Sequence, residues 1–265
     1  MGNSAGFSAT RLEVLTRRMQ EEIDAGRIPG VVMLAARHGN LACEAALGVQ
    51  DPAMGAPMSL DTIFRIYSMT KPVVSIAIMM LAEQGRLLLS DSVTRFLPEL
   101  RGLKVGVERQ AENGKTSLEL EPTRQPITIQ DLLRHTSGLT YGIFGESAVK
   151  AAYRDAGIGS PKLTNDEFIR RLAGVPLAYQ PGTVWEYSVS TDVLGVVLER
   201  IHGKPLDEVL RECIFKPLGM HETGFHVDAD KLQRVAQPFD TDPVTGAEVK
   251  LSRVQQKPNF LSGGG

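Results

Sequence analysis

Ser68-Met69-Thr70-Lys71-Pro72 sets a hydroxyl and an amine at a spacing that one helical turn converts into neighbours on the same face. Proline has no N–H to donate and fits the first turn of a helix, so Pro72 places Ser68 at or beside a helix N-terminus. The positive end of the helix dipole there favours negative charge developing on Ser68. The following residues, 73–81, read Val-Val-Ser-Ile-Ala-Ile-Met-Met-Leu and are apolar on nearly every face, which predicts a helix central to the fold. Lys71 would then lie against apolar surface, where desolvation disfavours the ammonium form and suits the amine to act as a general base. The chemistry this pair could do is nucleophilic attack by an activated serine. Ser-x-x-Lys also arises by chance, as a helix cap beside a surface lysine. The buried helix directly behind it favours the functional reading.

A second group lies in Gln180-Pro-Gly-Thr-Val-Trp-Glu-Tyr-Ser-Val-Ser190. Pro181-Gly182 makes a turn and Thr191 begins an apolar helix, so Tyr187 falls in a loop between two ordered elements. A phenol near a lysine can relay protons to a leaving group. Spacing alone equally allows a half-buried tyrosine packed beside Trp185. Gly2-Asn3-Ser4-Ala5-Gly6 matches the Gly-x-Ser-x-Gly elbow, but that motif needs a preceding strand and only Met1 precedes it, so Ser4 is not read as a nucleophile. Of the five histidines, His38, His135, His202, His221 and His226, none has the spacing of a metal site, and His135 reads as a structural hydrogen-bonding residue. No dinucleotide-binding or P-loop fingerprint occurs, so neither a cofactor nor a metal is expected.

The elements that must hold these residues follow from periodicity and punctuation. Thr10-Arg-Leu-Glu13 reads as a capping box, and Leu12, Leu15, Met19 and Ile23 recur at helical spacing up to a stop at Gly26. Residues 31–36 and 41–47 form a hairpin around His38-Gly39-Asn40, with Ala36, Ala42, Ala45 and Ala46 leaving room for close helix packing. Residues 66–84 read as a helix after a short lead-in strand, closed by Gly85. A second, exposed hairpin is expected over 103–107 and 117–120 around Asn113-Gly114. Thr128-Ile-Gln-Asp131 starts a short helix that breaks at Ser137-Gly138, and helices follow over 165–173, 191–202 and 205–215. Strands come first and helices after, without regular alternation, which predicts an α+β fold. Two strands make a marginal sheet, so further strands are expected from elsewhere.

The 265 residues carry a net charge of −2 and 42% hydrophobic residues, ordinary for a soluble enzyme. With a pI near 6.2 there is no electrostatic footprint for nucleic acid or an acidic membrane. The apolar run 73–82 is about half of the ~20 residues that span a bilayer, and the N-terminus lacks the apolar core of a secretion signal. Cys43 and Cys213 stand far apart in apolar contexts and read as buried free thiols. A cytoplasmic setting is expected.

The chain resembles the serine β-lactamase/penicillin-binding-protein superfamily, closest to the family VIII carboxylesterases and class C β-lactamases. The resemblance rests on Thr62-Ile-Phe-Arg-Ile-Tyr-Ser-Met-Thr-Lys71, Leu132-Leu-Arg-His-Thr-Ser-Gly-Leu139, Pro181-Gly-Thr-Val-Trp-Glu-Tyr-Ser188 and Pro217-Leu-Gly-Met220, with Thr223 and Phe225 just after. It implies a β-lactamase/transpeptidase-like fold, an antiparallel sheet flanked by helices plus an all-α lobe. Residues 1–265 would form a single catalytic domain, with the N-terminal helix and hairpin of the α/β lobe in 1–65 and a mostly helical lobe in 66–265. It implies Ser68 as the acylated nucleophile, Lys71 as its base and Tyr187 as the proton carrier to and from the leaving group, with the Ser68 N–H donating to the oxyanion. The expected partner is a small-molecule ester.

Two departures qualify this. Class C β-lactamases carry Tyr-x-Asn where this chain has Tyr187-Ser188-Val189. Valine cannot give the amide hydrogen bonds that help recognise a β-lactam, which tilts the expectation toward an esterase and away from a β-lactamase or D-Ala-D-Ala peptidase. Family members also carry, after the tyrosine motif, a Lys-Thr-Gly, His-x-Gly or Trp-x-Gly strand with a second oxyanion donor, and none of these occurs after Tyr187. Losing such a donor costs about 2.7–4 kcal/mol of transition-state stabilisation. The domain is therefore expected to be incomplete, with its C-terminal strands missing and supplied by further residues or a second chain. A catalytically idle scaffold is the reading from another class.

Overall fold

A computed structural model describes residues 6–110, 116–251 and 254–265. The chain clusters into two compact units, residues 1–65 with 226–256, and residues 66–225 with 257–265. Residues 226–256, expected within the helical lobe, thus belong with the N-terminal unit. They carry no long apolar run, and they attach by backbone pairing that composition does not reveal.

In the first unit, α1 (Ala9–Asp24) packs on β2 (Asn40–Asp51), which pairs antiparallel with β1 (Gly30–Arg37) and with the two-residue β3 (Ala56–Pro57) in the order β1-β2-β3. The β1–β2 turn falls where His38-Gly39 predicts it: both residues have positive φ (51° and 74°), the backbone that suits the right-handed twist of a two-residue hairpin loop. Gly48 has φ +75° and lies so close to Pro29 that a Cβ would come within 2.4 Å of its carbonyl oxygen. The capping box at Thr10 does not form. The helix starts two residues earlier, at Ala9 behind Ser8, whose side chain makes no cap hydrogen bond. The lead-in strand before residue 66 is also absent; Ile63 makes only a single parallel bridge to Val235 within this unit.

The second unit holds α2 (Thr70–Glu83), a hairpin of β4 (Lys104–Gln110) and β5 (Thr116–Pro122), α3 (Ile129–Leu133), α4 (Ala148–Asp155), α5 (Asn165–Leu172), α6 (Ser190–His202) and α7 (Leu206–Leu210). The hairpin pairs Lys104 with Pro122 through Gln110 with Thr116, while the expected turn at Asn113-Gly114 lies outside the described residues. Thr128 caps α3 and Thr164 caps α5, each in a reciprocal box with the residue three positions on. Helix α4, capped by Ser147, was not expected from the sequence: its core side is only Val149 and Tyr153, too short an apolar stripe to stand out.

The centre of this unit is α6, not α2. Residues 190–198 of α6 are all buried, packed against Val74, Ile78 and Leu81 of α2, Ile129 and Leu132 of α3, Phe168 and Leu172 of α5, and Leu206 and Leu210 of α7. Its charges other than Asp192 fall in the final turn, which frees the preceding turns for the core. On α2 only one face is buried, and Ile76 and Met79 are 54% and 46% exposed. Among the described residues no helix is long and apolar enough to cross a membrane.

The loop 135–139 joins α3 to the site through Gly138, which has φ +84° and whose carbonyl accepts the Ala178 N–H at 2.7 Å. A Cβ there would meet the Tyr179 carbonyl oxygen at 2.1 Å. Gly138→Ala is expected to destabilise the protein by more than about 1 kcal/mol. The urea midpoint measures this, and an unchanged midpoint would contradict the tight approach.

Candidate active site

Residues 67–69 form a 3-10 turn that runs directly into α2, so Ser68 sits one turn ahead of the α-helix rather than inside it. Lys71 still lands on its face: Lys71 Nζ donates to Ser68 Oγ at 3.1 Å. The Tyr187 hydroxyl donates to the same oxygen at 2.7 Å. The three residues singled out from the sequence are therefore in one hydrogen-bonded group, with Ser68 exposed and Lys71 and Tyr187 half-buried. Lys71 Nζ also donates to the Gly264 carbonyl at 2.5 Å and lies 4.5 Å from the centre of the Tyr187 ring.

Electrostatics link the phenol to the amine. Burial alone would raise the Tyr187 phenol, but hydrogen bonding to Lys71 and Ser68 and the Lys71 charge outweigh it, so the group lies below its ordinary value. A phenol easier to ionise is better suited to exchanging a proton with the serine and a leaving group.

The Tyr187 loop is fixed from both sides. The Glu186 N–H donates to the His135 carbonyl at 2.9 Å, and the Glu186 carboxylate takes Thr140 Oγ1 at 2.7 Å and pairs with Lys150 of α4 at 3.1 Å. A chain of hydroxyls then ties the 135–139 loop to the start of α6. His135 Nδ1 is 3.2 Å from Ser188 Oγ, which is 2.7 Å from Ser190 Oγ, itself 2.7 Å from Ser137 Oγ. His135 is thus the structural group expected, since its Nδ1 also accepts the Ser188 N–H. Val189 is 1% exposed and offers no polar group to the site. Tyr67 and His135 are two of the three non-glycine residues with positive φ among the described residues, at 42° and 56°. Such backbone costs about 1–3 kcal/mol each and persists where surrounding contacts enforce it.

The sequence reading missed the groups beneath Lys71. Asp192, in the first turn of α6, is 3% exposed and accepts from Ser262 Oγ, from the Gly264 N–H at 3.1 Å and, at a long 3.5 Å, from the Tyr141 hydroxyl. Burial raises its carboxyl above the usual range, opposed by the Ser262 and Gly264 hydrogen bonds and the Lys71 charge. Burial and the neighbouring Asp192 and Tyr187 push the Tyr141 phenol up as well, so it stays a donor. The signal was present: one acid among apolar residues at the start of a helix. Away from the site, Cys43 and Cys213 are free thiols as expected, though half-buried rather than buried.

An α+β chain that presents a serine hydroxyl to a lysine amine and a tyrosine phenol at the head of a helix has a β-lactamase/transpeptidase-like fold. The chain belongs to the beta-lactamase family, whose sequence profile matches residues 15–255. It is 40% identical over 256 residues to Esterase EstB of Burkholderia gladioli, covering 93% of this chain and 60% of that protein. It is 38% identical over 224 residues to Protein Rv1367c of Mycobacterium tuberculosis, covering 84% of this chain and 54% of that one. The chain thus spans little more than half the length of these curated relatives. Among solved structures it is similar to EstCE1, described as a hydrolase with promiscuous acyltransferase activity, with a TM-score of 0.77 and 31% identity over 97% of this chain and 69% of that one.

The His135 imidazole lies below its ordinary value of 6.5, because burial disfavours the imidazolium and the Lys71 charge repels it. A histidine depressed by folding binds more protons when unfolded, so its stabilising contribution is present above about pH 6.5 and is lost as pH falls through the folded value. His135→Asn keeps an acceptor and tolerates the left-handed backbone. It is expected to lose less stability than the parent between about pH 7 and pH 5, read from urea midpoints. Parallel losses in both proteins would remove His135 as the cause.

Proposed function

We propose that the protein is a serine hydrolase that cleaves short-chain carboxylic esters through an acyl-enzyme on Ser68. The observation that carries this is the convergence of Lys71 Nζ at 3.1 Å and the Tyr187 hydroxyl at 2.7 Å on Ser68 Oγ. The Ser68 proton passes to the Lys71–Tyr187 pair, which acts as one coupled acceptor, with Lys71 as the base. Ser68 Oγ bonds to the ester carbonyl carbon, and the carbonyl oxygen takes the negative charge beside the Ser68 N–H. As the tetrahedral species collapses, the carbon–alkoxide bond breaks and Tyr187 gives the alkoxide its proton. Water then repeats the sequence, freeing the acid and restoring Ser68.

Resemblance to Esterase EstB and to the EstCE1 hydrolase supports ester chemistry. The buried Val189, in place of an amide, favours it over β-lactam or D-Ala-D-Ala peptide hydrolysis. The second oxyanion donor and the remaining strands are proposed to come from residues outside these 265, in the same polypeptide or a second chain. The share of the relatives' length that the chain spans supports this. A native mass of 28.8 kDa together with full esterase activity would overturn that part. The free thiols accord with a cytoplasmic setting.

The test combines a fluorophosphonate probe, a short-chain chromogenic ester and nitrocefin on the native protein. Labelling should map to Ser68 and vanish in Ser68→Ala, and Tyr187→Phe should lower ester kcat by about 10²–10⁴-fold. Nitrocefin turnover as efficient as ester turnover would favour a β-lactamase. An unlabelled protein inert toward both substrates would favour an idle scaffold.

A further inference from the structure

Asp192 is a carboxylate in the wrong place for stability. It is 3% exposed within the buried stretch of α6, and no cationic side chain is within ion-pair distance of it among the described residues. A charge so placed is costly unless hydrogen bonds compensate, and acids kept under such conditions concentrate at functional sites. The compensation here is one-sided. Among the described residues, Oδ1 receives both Ser262 Oγ and the Gly264 N–H, while Oδ2 has the long contact from Tyr141.

The two donors on Oδ1 belong to the 262–264 turn, and that turn is seated directly on α6. A Cβ at Gly264 would stand 2.7 Å from Asp192 Oδ2, and one at Gly263 2.3 Å from the Thr191 carbonyl oxygen and 3.2 Å from the Gly195 backbone. Glycines allow the approach, and Asp192 fixes its position. Residue 264 then faces both ways: its N–H is shared between Asp192 Oδ1 and Ser262 Oγ, each at 3.1 Å, and its carbonyl accepts Lys71 Nζ at 2.5 Å. The Lys71 amino group turns freely about its Cε–Nζ bond. Donating an N–H to the Gly264 carbonyl fixes that rotation and sets the face of the amine that meets Ser68 Oγ at 3.1 Å.

We propose that Asp192 is a positioning residue for acylation, acting through the 262–264 turn to aim Lys71 at Ser68. The inference rests on the Ser68 acyl-transfer reading. It does not require Asp192 to touch substrate or exchange a proton; its oxygen acceptor at the Oδ1 position is what matters. Asn supplies such an acceptor, and its amide can donate to the Tyr141 hydroxyl from the other position.

The experiment measures fluorophosphonate labelling rate, kcat and KM for a short-chain ester, and melting temperature, in the native protein and in Asp192→Ala, Asp192→Asn and Ser262→Ala. Misaligning the amine should slow labelling and kcat of Asp192→Ala together by about 100-fold, with KM moving by less than about threefold. Asp192→Asn should recover to within about tenfold of the parent, and Ser262→Ala, which leaves Asp192 in place but removes one of its donors and the acceptor of the Gly264 and Gly265 N–H groups, should slow both rates by about tenfold. Loss of kcat without a matching change in KM is a readout that general loosening of the fold would not give. A folded Asp192→Ala labelled at the parent rate would overturn the proposal, as would Asp192→Asn as slow as Asp192→Ala. If the alanine variant does not fold, the other two decide by the same criteria: both at parent rate, or Asn slowed by about 100-fold, would refute it. A parent that takes no label defeats the acyl-transfer reading itself, whereas a labelled parent with indifferent variants defeats only the role of Asp192.

Discussion

The site depends on how one amine is held. Lys71 Nζ is bound by Ser68 Oγ on one side and the Gly264 carbonyl on the other, with the Tyr187 ring alongside. A lysine side chain carries large rotamer freedom, and an amine that samples many orientations cannot keep a serine poised. Each arm of this clasp comes from a different part of the second unit. The turn into α2 supplies Ser68 and Lys71, the loop before α6 supplies Tyr187, and the turn at 262–264 supplies the carbonyl. Helix α6 organises the last two: Tyr187 stands just ahead of its first turn and Asp192 lies within it.

That organisation is achieved against local preference. A carboxylate is buried with no ion-pair partner among the described residues, and the residue before Ser68 and the residue under Ser188 both adopt left-handed backbone. Such features cost stability, and the protein offsets them with the most buried packing it has, residues 190–198 against four other helices. Rigid apolar packing therefore lies directly beneath the strained polar layer, and pre-organises it.

The grouping of the candidate residues was more legible in the sequence than the architecture around them. Ser68 and Lys71 could be paired because helical spacing is local, and the boxes starting at Thr128 and the turn at His38-Gly39 are likewise read within a few residues. Tyr187 could only be placed in a loop; its meeting with Ser68 spans 119 residues of chain, beyond what spacing can show. The choice of α2 as the central helix went wrong because its apolar residues encircle it, while burial depends on neighbours that composition does not name. Asp192 escaped notice for the complementary reason: a single acid near a helix start reads as an ordinary favourable dipole contact, and only the three-dimensional structure shows it sealed beneath Lys71.

The coupling of amine, serine and phenol is tested most directly by the ionisation of Tyr187, followed by NMR of ring-labelled tyrosine and assigned with Tyr187→Phe. With Lys71 in place, Tyr187 should titrate below the ordinary value of 10.0, and Lys71→Met should move it upward. A Tyr187 that titrates at or above that value in the parent, or that ignores the loss of Lys71, would contradict the clasp on which the site is built.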